Sequence, residues 1–314
     1  MTRRWVRSRG KRRALILGYH RVADRSWDPY GIAVSPERFS EQLQVIRDLA
    51  EPVPLATLAA ECPDRSVALT FDDGYADNVS EALPRLDLHR IPATMFVATD
   101  YVDGRFWWDE LADRLAPGRR LPDPIELEVG GTRVAWRPTG GDREARTRLV
   151  REMHQRLRTA SEDDRGRALD DLRRGMTQAD DGAAPRALRD RELRALAAHP
   201  RLEIGAHTRS HASLGEIAAE RQAAEIAGSK RWLEERLRGK AVESFSYPNG
   251  STSAQAASIL AAEGFRRACG SREDLVTARS ERFDLPRFWV PDWSAGRFSR
   301  WLRRWLGSAR RHEV

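Results

Sequence analysis

The chain has 314 residues and a formal net charge of +7, with 40% hydrophobic and 32% charged residues. That length allows one large domain or two modest ones, and that composition describes a globular chain with a charge-rich surface. No apolar run approaches the roughly 20 residues that a helical membrane span needs.

The positive charge gathers at the two ends, in "RRWVRSRGKRR" and "RFSRWLRRWLGSARR". Between them acids and arginines alternate, as in "SEDDRGRALDDLRR", the pattern of solvated helices. No zinc-finger, homeodomain or RNA-binding signature accompanies the charge, so nucleic acid is not expected as a partner. Residues 1–12 read as a basic arm. The apolar segment after them breaks at Gly18-Tyr19-His20 and has no small-residue cleavage site. A secretory signal is not expected, and the cytoplasm is the expected location. Cys62 and Cys269 lie far apart, match no metal spacing and fit a reducing compartment.

In chain order, "RALILGYH" (13–20) reads as a strand. Residues 35–50 read as a helix, with Ser35 as N-cap, Pro36 at the first helical position and Phe39, Leu43, Ile46 and Ala50 at helical spacing. "SVALTF" (66–71) is a strand that runs into "DDG", and "ADNVSEALPRLDLH" after it is a helix that Pro84 kinks or breaks. "ATMFVAT" (93–99) is the next strand. Residues 104–198 depart from the alternation. They hold a hairpin, "IELEVGGTRVAW", turning at Gly130-Gly131, then two charged helices and a Gly/Ala/Pro-containing break at 179–187. This region reads as an insertion with a small apolar face of its own. Alternation resumes with strands at 201–207, 242–248, 265–270 and 284–290, and helices at 216–238 and in "SAQAASILAAEGF". Strands separated by helices predict a parallel α/β sheet or barrel over residues 13–297. The tail, 298–314, places Phe298, Trp301, Leu302, Trp305 and Leu306 on one face and arginines on the other. That face suits an anionic membrane surface or packing on the barrel, and packing is preferred.

Two features carry chemistry. "LTFDDGYADN" sets adjacent aspartates and a glycine at the end of a strand. A lone DDG is usually a solvated turn. Carboxylates at the C-terminal end of a buried strand are also where α/β enzymes place their chemistry. "EIGAHTRSH" adds His207 and His211, four apart after another strand, a spacing that on one helical turn points both imidazoles the same way. An acidic turn with a His-x-x-x-His makes a site of two histidines and one carboxylate, with positions left for water and substrate.

"TFDDG", "HTRSH" and "SYPNG", in this order, resemble the polysaccharide deacetylase family, that is, carbohydrate esterase family four with its NodB-homology domain. The resemblance covers about residues 13–290 apart from the insertion. It implies a distorted, incomplete (β/α) barrel with a mostly helical insertion. It further implies that Asp73, His207 and His211 bind one divalent metal ion, and that Asp72 is the general base. Zinc is the first expectation; cobalt and nickel suit the same donors. The family holds its oxyanion with a backbone N–H from an R-x-P-Y motif. Here Ser246 stands at the arginine position and Asn249 at the tyrosine position. The backbone of Asn249 would still serve, and Arg287 in "LPRFWV" is the expected replacement for the arginine that orients the base. Tyr247 of the same motif is expected at the substrate.

The family's usual C-terminal histidine strand is missing, since the only histidine after position 211 is His312. "LILGYHRV" resembles instead the circularly permuted poly-N-acetylglucosamine deacetylases, which implies that His20 is the general acid. Trp107 and Trp108 are assigned either to the substrate rim or to the core of the insertion; Trp289 and Trp293 also offer faces on which sugars stack. The expected function is metal-dependent removal of an N-acetyl group from a sugar that is free, lipid-linked or part of an oligosaccharide. The alternatives are another amide or formamide hydrolase on the same site, or a non-catalytic carbohydrate-binding protein of the same fold.

Overall fold

The computed structural model describes residues 13–138, 142–175 and 185–307. The arm expected at 1–12, residues 179–184 of the expected break and the tail at 308–314 lie outside the described residues.

β1 (Ala14–Tyr19) leads through β2 (Arg21–Val22) and β3 (Ala33–Val34) into α1 (Pro36–Leu49). β4 (Glu51–Pro52) and α2 (Leu55–Glu61) precede β5 (Ser66–Phe71). A π-helical turn, Asn78–Ala82, runs into α3 (Leu83–His89), followed by β6 (Ala93–Val97). Then come α4 (Trp107–Leu115), β7 (Ile125–Val129), β8 (Thr132–Trp136), α5 (Arg143–Leu157) and α6 (Glu162–Gly175). α7 (Asp190–Ala198), β9 (Leu202–Ala206), α8 (Ala219–Arg236), β10 (Ser244–Ser246) and α9 (Ala254–Ala262) follow. The order ends with β11 (Arg267–Cys269), β12 (Phe288–Trp289) and α10 (Ala295–Leu306).

β1, β5 and β6 are buried at every position, the condition of central parallel strands covered by helices on their faces. Neighbours run β11-β10-β9-β6-β5-β1-β12, all in parallel, with β4 added beside β5. The last extended segment touches both edges of this sheet. Phe288 and Trp289 pair with Leu17 and Gly18, while Leu285 bridges to Cys269 on β11. The contact at that seam is only one bridge wide, so the sheet curls into a distorted, incomplete (β/α) barrel. Pro286 lacks an N–H for the ladder, one reason the strand read at 284–290 shortens to two residues.

The local signals act where they stand. The Ser35 side chain accepts the Arg38 N–H, and Phe39, Leu43 and Ile46 of α1 are buried. Pro84 falls in the first turn of α3, and the break expected there is taken up by the π-helical turn before it. The hairpin pairs Ile125 with Trp136 around its glycine turn.

Two large apolar clusters form. The barrel core includes Leu17, Phe71, Met95, Ile204 and Phe245. Leu188, Leu193 and Leu196, from the stretch read as insertion, also belong to it. The other large cluster gathers Trp107, Trp108, Leu111, Val150 and Met153, and draws in Trp27 and Tyr75 from the barrel side. α10 lays Phe298, Leu302 and Leu306 on the barrel and packs Trp301 edge-on and Trp305 tilted against Phe288, with Arg303 and Arg304 outward. The apolar face that could have met a membrane is thereby covered. No helix among the described residues is long and apolar enough to cross a membrane.

Gly205 shows how tightly the strands pack. A Cβ there would meet the Phe96 ring at 2.5 Å and the Ser244 carbonyl at 2.8 Å. Gly205→Ala is therefore expected to destabilise the protein by about 1–3 kcal/mol, read as a lowered midpoint in denaturant, because the backbone oxygen cannot swing aside.

Candidate metal centre and active-site cavity

β5 ends at Phe71, and the next two residues part company. Asp72 continues the ladder, its N–H donating to the Tyr19 carbonyl at 2.9 Å. Asp73 turns into the left-handed region at φ 73°. Gly74 follows at φ 88°, a conformation that glycine takes without penalty. This turn aims the two adjacent carboxylates differently, and both are buried.

Asp73 Oδ1 lies 3.4 Å from His207 Nε2 and 3.3 Å from His211 Nε2. The three ligand atoms sit within 4.8 Å of one another. His207 follows β9 directly. The two imidazoles converge without the helical turn that would bring i and i+4 together, since the segment is a loop with Thr208 at φ 60° and His211 at φ 59°. Glu225 of α8 clamps that loop by accepting the Arg209 and Ser210 N–H groups at 2.8 and 2.9 Å and the Ser210 hydroxyl at 2.6 Å. His207 Nδ1 lies 2.7 Å from the Ser246 carbonyl, a contact it can make only as donor. That fixes the tautomer and leaves Nε2 with a lone pair facing Asp73. Asp73 Oδ1 has no hydrogen-bond partner although it is buried. A buried, unsatisfied carboxylate oxygen against two imidazole nitrogens is the donor set of a zinc-type ion, and these residues fit one.

Asp72 is gripped from the segment that leads into β12, with only β1 between that strand and β5. Arg287 forms a bidentate pair with it, at 2.7 Å to Oδ1 and 2.8 Å to Oδ2. The Ser246 hydroxyl donates to Asp72 Oδ2 at 3.0 Å and accepts from Arg287 at 2.9 Å. The serine at the family's arginine position thus shares one network with a guanidinium arriving from the closing segment. Burial alone would raise the Asp72 pKa, but Arg287 and then His207 outweigh it and hold the carboxyl below its usual value.

These groups open into a cavity of about 630 Å³, whose lining includes His20, Asp72, Asp73, His207, His211 and Asn249. The His20 ring stacks on Trp289, with centroids 4.4 Å apart and planes at 24°. Gly18 makes room for that tryptophan, since a Cβ there would lie 2.7 Å from its ring. Burial pushes the His20 pKa down more than Asp73 and Asp72 raise it. Asn249 sits at φ 56°, with its side-chain amide donating to Ser213 Oγ at 3.0 Å.

The aromatics divide. Trp108 lines the cavity, packs 4.6 Å from His211 and donates its indole N–H to the Tyr75 hydroxyl at 2.8 Å. Trp107 does not line it; it is buried in the second large apolar cluster with Leu111, Val150 and Met153. Tyr247, expected at the substrate, is also displaced. Strand alternation turns its ring into the barrel core against Phe245, and its hydroxyl donates to the Phe283 carbonyl at 2.9 Å. Tyr30 and His154 line the cavity and were not singled out in the sequence. No local pattern marks them, because His154 stands inside one of the charged helices.

Residues 59–121 and 176–268 match the family model described as polysaccharide deacetylase. Several solved structures share the fold. The Streptococcus pyogenes deacetylase PplD, in complex with acetate, is 17% identical, with a TM-score of 0.59 over 91% of this chain and 96% of that one. IcaB from Ammonifex degensii is 18% identical, with a TM-score of 0.59 over 94% and 98%. The BpsB deacetylase domain from Bordetella bronchiseptica is 14% identical, with a TM-score of 0.53 over 88% and 95%. At such identities the likeness speaks for the fold. No curated protein matches the chain.

The buried pair gives a testable consequence. Arg287→Met leaves the Asp72 charge without its partner and is expected to cost about 3–5 kcal/mol near pH 7. The depressed Asp72 pKa contributes stability that is present above its unfolded value and lost as pH falls through the folded one. In the variant burial raises that pKa, so its deficit in a urea titration should shrink on acidification.

Proposed function

The chain belongs to the polysaccharide deacetylase family, and we propose that it removes the N-acetyl group from an N-acetylated sugar or saccharide with one divalent metal ion. Family membership makes it a carbohydrate deacetylase, a hydrolase of C–N bonds. The observation that carries the finer reading is the orphaned Asp73 carboxylate oxygen between two imidazoles, at the floor of a cavity that also holds Asp72. Asp73, His207 and His211 would hold the ion, with zinc as first choice and cobalt or nickel also suited. When bound, such an ion supplies Lewis acidity, which polarises an amide carbonyl and eases deprotonation of water.

The residues of the chain do the rest. Asp72, kept ionised and oriented by Arg287 and Ser246, takes the proton of the attacking water. The backbone N–H of Asn249 donates to the oxygen that gains charge. His20, held on Trp289, passes a proton to the leaving amine. Burial lowers the pKa of that ring, so the proton it delivers is the one that Asp72 has taken from the attacking water, and one water is consumed for each amide cleaved. Trp108, which lines the cavity, offers an apolar face to the sugar ring.

Acetate release from N-acetylated oligosaccharides, with and without chelator, tests this. Chelation should abolish turnover, and added zinc, cobalt or nickel should restore it. Asp72→Asn should keep the metal and lower kcat by about 10²–10⁴-fold. His20→Ala should lower kcat with metal content intact. Full activity of a chelated His207→Ala protein would sink the metal reading; loss of metal in Asp72→Asn would reverse the roles of the two aspartates.

A further inference from the structure

His154 sits near the end of α5, in the helical insertion, yet its ring reaches the same cavity as the metal-binding cluster. Its setting is built. The ring lies flat on Trp107, with centroids 5.0 Å apart and planes at 13°. Tyr30 packs against it at 5.2 Å, and the Tyr30 hydroxyl is anchored to the Trp108 carbonyl at 2.8 Å. These neighbours set the tilt of the imidazole without using its polar atoms. Neither ring nitrogen has a hydrogen-bond partner among the described residues. The residue is half-buried and its nitrogens are not among the buried unsatisfied polar atoms, so the ring's polar edge is available to what enters the cavity. Burial chiefly pushes the His154 pKa down to about 4, so near neutral pH one nitrogen donates and the other accepts.

A second observation concerns charge. Among the described residues that line the cavity there is no lysine or arginine, in a chain where these types number 54. Arg287, the guanidinium behind the cavity floor, is already paired with Asp72. A phosphate or carboxylate entering the cavity would meet Asp72 and Asp73 with no cationic side chain to offset them. Away from the Asp73–His207–His211 cluster the cavity thus has, among the described residues, no cationic side chain to hold a phosphate or carboxylate on the sugar, which favours an uncharged sugar unit.

We propose that His154 is a substrate-binding residue, which hydrogen-bonds a hydroxyl of an uncharged N-acetylated sugar unit lying against Trp108 and Tyr30. This rests on the deacetylase reading and adds to it a contact supplied by the insertion. The geometry is that of saccharide sites in general, where aromatic faces take the C–H side of a pyranose and a fixed polar group selects a hydroxyl.

The test uses the full-length, metal-loaded protein and soluble oligosaccharides of N-acetylglucosamine, N-acetylmannosamine and N-acetylgalactosamine, with acetate release as readout. His154→Phe keeps the stack and removes the hydrogen bond. It should raise KM about tenfold and leave kcat within about threefold, with bound metal unchanged. His154→Gln restores a donor and an acceptor and should recover most of the loss. Should His154→Phe fail to fold, His154→Leu carries the same test. An unchanged KM in the variant, beside an active wild type, overturns the inference and leaves the deacetylase reading standing. So does a fall in kcat with loss of metal, which would make His154 structural. A metal-loaded wild type that releases acetate from none of the sugars overturns the deacetylase reading, and the inference with it.

Discussion

The buried pair between Asp72 and Arg287 is the constraint on which the site depends. It joins the end of β5 to the closing segment of the barrel through two short hydrogen bonds, with the Ser246 hydroxyl of β10 as a third member. A charge-assisted bidentate pair is strong where water is excluded, and it fixes the carboxylate's rotation as well as its charge. Such pairs contribute less to net stability than their Coulomb attraction suggests, because both ions lose their hydration. Their return is geometric. Three strands far apart in sequence are held in one register at the point where the chemistry is proposed.

Backbone shape does comparable work beside it. Two adjacent residues on a strand would point to opposite faces of the sheet. The left-handed turn at Asp73 breaks that rule, so Asp72 can serve Arg287 while Asp73 faces the imidazoles. The loop bearing His211 uses the same device, and Glu225 holds it by taking up its N–H groups. Left-handed conformations cost energy for residues other than glycine, asparagine and aspartate, and the surrounding hydrogen bonds offset that cost. Ser246 links the two halves, since its carbonyl meets His207 Nδ1 while its hydroxyl meets Asp72.

The segment between β6 and β9 gives the cavity one aromatic wall. Trp107, Trp108 and His154 come from its helices, but the cluster they join also takes Tyr75 and Tyr30 from the barrel side. A contact between Trp108 and His211 therefore ties the packing of this wall to the Asp73–His207–His211 cluster. On the barrel side Trp289 lies over Gly18 and carries the His20 ring.

The sequence alone determined the alternation of strands and helices, the cap at Ser35, the glycine hairpin, and the grouping of Asp72, Asp73, His207 and His211 at strand ends. Those features are written in near neighbours: apolar period, turn chemistry and a four-residue spacing. Arg287 was legible as a candidate only because it follows a proline inside an apolar run and because the family's arginine was missing. Trp107, Tyr247 and His154 were not legible, since the same residue types serve core and cavity alike and strand or helix rotation decides between them. The pairing of Arg287 with Asp72, 215 residues apart, the stacking of His20 on Trp289 and the arrival of His154 in the cavity were decided by tertiary structure. Each depends on how far the sheet curls before its last strand meets its first, a property of the packed barrel that no local stretch of chain encodes.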